Sequence, residues 1–104
     1  MASSRLEILK SMVEQKPADA FSRYGLAMEY AREGDLEAAS AEFEALLGHN
    51  PGYAAGYFHG GQTLEKLGRI EEAREYYRKG IEVTDASGDT HTRSELIGAL
   101  QMLA

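Results

Sequence analysis

Cysteine is absent from the 104-residue sequence, and positive charge is scarce in it. Without cysteine the chain has no disulfide framework, no thiolate metal site and no cysteine nucleophile. The 11 Lys and Arg residues are outnumbered by 17 Asp and Glu residues, so the formal net charge is −6. Duplex nucleic acid and anionic membranes both select for clustered positive charge, and we therefore expect neither as the main partner.

Long apolar runs are also missing. No run approaches the roughly 18 residues of a membrane-spanning helix, so we expect no membrane insertion. The first residues lack an apolar stretch followed by small residues, and Glu7 is acidic, which argues against a targeting segment and favours a cytoplasmic location. The hydrophobic fraction of 43% and the charged fraction of 27% are typical of a globular protein, here one domain over residues 1–104.

Motifs for catalysis or cofactor binding are lacking too. None of the three histidines, His49, His59 and His91, lies three or four residues from another, which is the spacing of many metal sites. No Gly-Lys-Ser/Thr phosphate loop occurs, and the acidic clusters fall on helix faces opposite the apolar residues. We therefore expect no metal, no cofactor and no enzymatic activity.

What the sequence does contain is a repeat. Its two prolines, Pro17 and Pro51, lie 34 residues apart, and so do Gly34 and Gly68. A shift of 34 residues also superimposes these pairs: Ala27 on Gly61, Leu36 on Ile70, Glu37 on Glu71, Ala39 on Ala73 and Phe43 on Tyr77. A period of this length indicates helix–turn–helix units, none of which can bury its apolar face alone.

The spacing of apolar residues predicts an all-α chain, because alternating apolar and polar runs are lacking and Ala, Glu and Leu dominate. The predicted helices cover residues 4–16, 19–33, 36–48, 53–67, 70–84 and 90–103. The last of them has an apolar face formed by Leu96, Ile97, Leu100 and Leu103.

The period and its residue types resemble the tetratricopeptide repeat family. The first repeat matches the family pattern at Leu26, Ala27, Tyr30, Gly34, Ala39, Phe43 and Pro51. The second matches it at Tyr57, Gly61, Leu64, Gly68, Ala73, Tyr77 and Gly80. Three positions depart from the pattern: Arg23 stands in place of Trp, Gly60 in place of Leu, and Asp85 in place of the last Pro.

The resemblance implies a right-handed α-solenoid. Residues 4–16 would be the second half of a preceding repeat, with Leu9, Met12 and Val13 facing inward. Residues 20–53 and 54–87 would form the two repeats, and residues 88–104 a capping helix. The implied function is a non-catalytic protein–protein interaction module, an adaptor or scaffold. The alternative is structural homo-oligomerisation, as a weak homodimer.

In this fold the first helix of each pair lines a concave groove. Here the residues expected on it are Phe21, Tyr24, Met28, Arg32, Tyr53, Ala55, Phe58, His59, Gln62, Glu65 and Lys66. Exposed aromatic and methionine side chains favour docking of a peptide or helix from a protein partner. The 34-residue register makes Tyr24 and Phe58 expected neighbours. The alternative is that a terminal helix covers these side chains.

Some co-chaperone members of the family hold a partner's C-terminal carboxylate with Asn and basic residues of this groove. The corresponding Asn pair is missing here, since those places are held by Tyr24, Met28, His59 and Gln62. The resemblance therefore does not extend to that carboxylate clamp.

Overall fold

A computed structural model describes residues 4–103, which form six α-helices and no strand. The helices are α1 (Ser4–Gln15), α2 (Ala20–Arg32), α3 (Leu36–His49), α4 (Ala54–Lys66), α5 (Ile70–Ser87) and α6 (Thr90–Met102). The predicted bounds differ from these by one residue at most, except that α5 ends at Ser87 rather than at residue 84.

Local sequence signals account for most helix ends. Gly34, Gly68 and Gly88 have φ angles of 87°, 79° and 79°, a left-handed conformation that glycine adopts at low cost after a helix. The side chains of Asp19, Asp35 and Asp89 accept a backbone N–H at the starts of α2, α3 and α6. The turns that separate the helices are therefore encoded locally.

The extra turn of α5 has a physical cause in Thr84. Its side chain is buried, and its hydroxyl donates a 2.9 Å hydrogen bond to the carbonyl oxygen of Gly80, four residues earlier in the helix. A polar side chain satisfied in this way does not interrupt the helix. The helix therefore runs on to Gly88, where the left-handed residue ends it.

Each helix packs against the next one in the chain, and α2, α4 and α6 also contact one another in sequence order. The α1–α2 contact corresponds to the α3–α4 and α5–α6 contacts between neighbouring repeats. By its contacts α1 stands where the second helix of a repeat would stand, and α6 stands where a first helix would stand. The chain is an all-α solenoid.

Two core clusters fill the repeats. The first contains Ala27, Ala39, Phe43 and Leu46, and the second contains Tyr57, Leu64, Ala73, Tyr77 and Leu96. The equivalent aromatic residues Phe43 and Tyr77 are both 0% exposed, as the repeat pattern predicted. Leu96 comes from α6, so the last helix completes the second cluster, with Leu100 and Leu103 packed against it.

The inward face of α1 is narrower than predicted. Val13 is buried and Leu9 is half-buried, one helical turn apart, and both belong to the face turned towards α2. Met12 is 38% exposed, so the prediction that it faces inward is wrong. Ile8, one turn before Met12, is exposed as well.

Close packing of α4 on α5 depends on Gly61. A Cβ atom at this position would lie 2.8 Å from both Cδ1 and Cζ of the buried Tyr77 ring. Gly98, in the middle of α6, has no such neighbour within 4 Å. The two glycines therefore have opposite roles, since only Gly61 permits a helix contact.

We expect Gly61→Ala to lower the free energy of unfolding by about 1–3 kcal/mol, because the added methyl group overlaps a ring that cannot move. Gly98→Ala is the matched control and should raise it by about 0.5–1 kcal/mol, since alanine stabilises an exposed helix interior. Urea unfolding followed by circular dichroism measures both. A Gly61→Ala protein as stable as the wild type would mean that α4 and α5 pack less closely than described.

We also expect Leu96→Ala to cost about 2–5 kcal/mol, because it opens a cavity in the second core cluster. Met102→Ala, in the same helix but 86% exposed, should stay within about 0.5 kcal/mol of the wild type. Removal of residues 88–104 should lower the melting temperature and promote aggregation, since a solenoid end needs a cap. A truncated protein that stayed soluble and equally stable would contradict the capping role of α6.

Candidate binding groove

The largest groove of the described residues has a volume of about 770 Å³ and lies between α2 and α4. Seven residues of the predicted set line it: Phe21, Tyr24, Met28, Arg32, His59, Gln62 and Lys66. Arg5 of α1, Glu29 of α2 and Phe43 of α3 line it as well, and sequence reasoning did not include them. The groove is therefore built from the first helix of each repeat, with contributions from α1 and α3.

The α2 wall carries the apolar part of the groove. Phe21, Tyr24 and Met28 recur at three- and four-residue spacing, which places them along one helix face. Phe21 is 75% exposed, whereas Tyr24 and Met28 are half-buried and pack against the first core cluster. An exposed phenylalanine thus stands beside a fixed apolar floor.

Tyr24 is held in place by three other rings. Its centroid lies 6.4 Å from that of Phe43, 5.3 Å from that of Tyr53 and 5.9 Å from that of His59. Burial raises the pKa of the Tyr24 phenol, so the hydroxyl is neutral at pH 7. These contacts join α2, α3, the turn before α4 and α4 itself around one side chain, which makes the groove floor rigid.

The far end of the α2 wall contains a buried ionised group. The Glu29 side chain is 3% exposed, and its Oε1 accepts hydrogen bonds from Nε of Arg5 at 3.0 Å and from Nε of Arg32 at 3.1 Å. Nη2 of Arg32 donates to its Oε2. The hydrogen bonds from Arg32 are the main reason that the pKa of Glu29 is lowered. A buried carboxylate is tolerated here because two guanidinium groups pair with it.

The α4 wall is more polar. His59 is half-buried, and this burial lowers the pKa of its imidazole, which is therefore mostly neutral at pH 7. Gln62 and Lys66 follow at helical spacing and are exposed. Lys66 makes no hydrogen bond or ion pair with any residue between 4 and 103, so its ammonium group faces solvent at the groove edge.

Four residues of the predicted set do not line this groove. Tyr53 contacts Tyr24 at its margin, and Ala55 is half-buried in the first turn of α4. The carboxylate of Glu65 accepts a hydrogen bond from the Tyr77 hydroxyl, which directs it towards α5. Phe58 packs against the second core cluster, which includes Leu96 of α6.

The expectation that Tyr24 and Phe58 are neighbours was wrong, because His59 is the residue of α4 whose ring contacts Tyr24. Equivalent residues of successive repeats point in the same direction relative to their own repeat. Tyr24 accordingly packs towards the next first helix, α4, and Phe58 packs towards the one after it, α6. A terminal helix thus covers Phe58 but leaves Phe21 exposed.

No group of His, Asp and Glu residues within 4–103 has the arrangement of a metal site. In the same part of the chain, every helix is too short or too polar to cross a membrane.

Comparison with known proteins places the chain in a family. A family model described as tetratricopeptide repeat matches residues 24–89. A TPR repeat-containing protein of Pseudomonas aeruginosa is 26% identical over 98 residues, which cover 94% of this chain and 93% of that protein.

Solved structures agree with this result. The crystal structure of a tetratricopeptide repeat domain protein from Salinibacter ruber is similar, with a TM-score of 0.78 and 36% identity over 82% of this chain and 94% of that one. The solution structure of a Bordetella parapertussis protein has a TM-score of 0.80 and 28% identity over 94% of this chain and 85% of that one. With a family model that covers more than half of its residues, the chain belongs to the tetratricopeptide repeat family.

Proposed function

We propose that this chain is a non-catalytic adaptor that binds a short segment of another protein, extended or helical, in the groove between α2 and α4. The observation that carries this proposal is Phe21, a phenylalanine left 75% exposed at the edge of a concave, largely apolar groove. Tetratricopeptide repeats generally serve as protein-interaction modules, which supports the same class of function.

The dimensions of the groove fit a short segment. Its volume of about 770 Å³ is within the range of roughly 300–1,000 Å³ that is usual for pockets with a defined ligand. The 13 residues of α2 correspond to a length of about 20 Å. That length accommodates about six extended residues or three to four helical turns.

Binding energy would come mainly from the apolar wall. Full burial of a phenylalanine side chain contributes about 1.5–3 kcal/mol relative to exposure, and Phe21 has most of that area still to bury. The rings around Tyr24 are already packed, so little conformational entropy is lost when a partner binds. A contact area this small indicates micromolar affinity.

The test selects binders from a displayed library of random peptides of about 12 residues, long enough to span α2. Selected peptides should bind the wild-type chain, and Phe21→Ala and Met28→Ala should each weaken binding about tenfold, as the burial of one apolar side chain predicts. Ile8→Ala is the matched control, because Ile8 is 61% exposed on α1 but does not line the groove. Calorimetry measures affinity, and circular dichroism verifies folding.

Two results would overturn the proposal. The first is selected peptides that bind the Phe21→Ala and Met28→Ala proteins as tightly as the wild type. The second is a selection in which no peptide is enriched over a column without protein.

A second candidate is self-association through the outer face of α1. Ile8 and Met12 are exposed there, one helical turn apart, and no described helix packs on that side. If this face joins two copies, light scattering should show a dimer whose fraction rises with protein concentration and falls in the Ile8→Glu variant. A monomer at every concentration would exclude this candidate.

A further inference from the structure

The groove has two chemically different ends. Phe21 and Tyr24 lie in the first part of α2, whereas Arg32 occupies its last turn. Lys66 occupies the last turn of α4, 34 residues after Arg32, so the two cations hold equivalent positions in successive repeats. Arg5 joins them at the same end through its hydrogen bond to Glu29. We call Arg5, Arg32 and Lys66 the cationic end.

The cationic end carries more positive charge than its own carboxylate neutralises. Three cations line the groove there, and Glu29 is the one acidic residue among the described residues that line it. Glu33 and Glu65 are neighbours in sequence of Arg32 and Lys66, but neither lines the groove, and the Glu65 carboxylate is bonded to Tyr77. In a chain with a net charge of −6, a positive groove end is a local reversal of charge.

Hydrogen-bond donors are left over at this end. Arg5 gives only Nε to Glu29, and Arg32 gives Nε and Nη2, so the other guanidinium nitrogens make no bond to a described residue. The side chains of Arg5 and Arg32 are 72% and 68% exposed. Glu29 restricts both guanidinium groups, so an incoming carboxylate meets donors that are already positioned.

We propose that the bound segment combines an apolar anchor, which lies at the Phe21 end, with one or more side-chain carboxylates, which lie at the cationic end. The inference rests on the proposed function, because it names the chemistry of the partner for the same groove. Charge complementarity selects the partner here, while the apolar wall supplies most of the affinity.

The geometry also sets a spacing. Arg32 follows Met28 by four residues and Phe21 by eleven, which correspond to about 6 Å and 16 Å along α2. An extended segment advances about 3.3 Å per residue, so its carboxylate should lie about two to five residues from the anchor. A random acidic tract without an apolar side chain does not meet this requirement.

The experiment uses three displayed libraries of about 12-residue peptides with a fixed central phenylalanine, long enough to span the roughly 20 Å of α2. They differ only at positions about two to five residues from the anchor, which carry Asp or Glu in the first library, Asn or Gln in the second, and Lys or Arg in the third. Polyglutamate without an anchor is the control for charge alone. We expect enrichment from the acidic library above the other two.

Affinity measurements then assign the charge contact to the groove. Lys66→Glu should weaken binding of the selected acidic peptides by about tenfold, since it replaces an attraction with a repulsion at short range. Lys79→Glu makes the same charge change at an exposed position of α5 that does not line the groove, and it should leave the affinity within about twofold of the wild type. Raising the salt concentration should weaken binding to the wild type more than to Lys66→Glu.

The outcomes separate this inference from the function on which it rests. Equal enrichment from the neutral library, with binding that is lost in Phe21→Ala but unchanged in Lys66→Glu, would retain the peptide-binding groove and overturn the charge assignment. Polyglutamate that binds as tightly as the anchored peptides would overturn the anchor. Binding that is insensitive to Phe21→Ala and Met28→Ala in every library, or no enrichment from any library, would overturn both proposals.

Discussion

The contact between the Tyr77 ring and the backbone of Gly61 determines the position of α4, and the groove depends on that position. Since a side chain at residue 61 would overlap the ring, the two helices lie as close as they do only because glycine is there. The Tyr77 hydroxyl then bonds Glu65, which holds the last turn of α4 as well. Lys66 and His59 line the groove because α4 is fixed in this way.

The two repeats solve the same packing problem with different residues. Arg23 stands where the family has Trp, and it binds Glu42 of α3 at 2.8 Å and the Pro17 carbonyl oxygen at 2.9 Å, so an ion pair joins the helices instead of a large ring. Gly60 stands where the family has Leu, and a Cβ atom there would lie 2.7 Å from Cε2 of Tyr76. The missing leucine volume is thus supplied from α5.

Much of the fold was predictable because the signals are local or periodic. The prolines and glycines at a 34-residue interval gave the units, and Phe43 and Tyr77 followed as core residues. The bond from Arg5 to Glu29 was not predictable, because it joins residues 24 apart whose contact depends on the crossing of α1 and α2. Arg32, three residues after Glu29, was the local sign that this carboxylate is paired.

The bond between Arg5 and Glu29 also makes the first helix part of the groove. Helix α1 is held to α2 by Leu9, Val13 and this ion pair, so it has fewer attachments than the helices within the repeats. If α1 detaches, the groove loses Arg5 and Glu29 loses one of its two partners. Occupancy of the groove and docking of α1 are therefore thermodynamically linked, and a ligand that contacts Arg5 slows hydrogen exchange in a helix that it hardly touches.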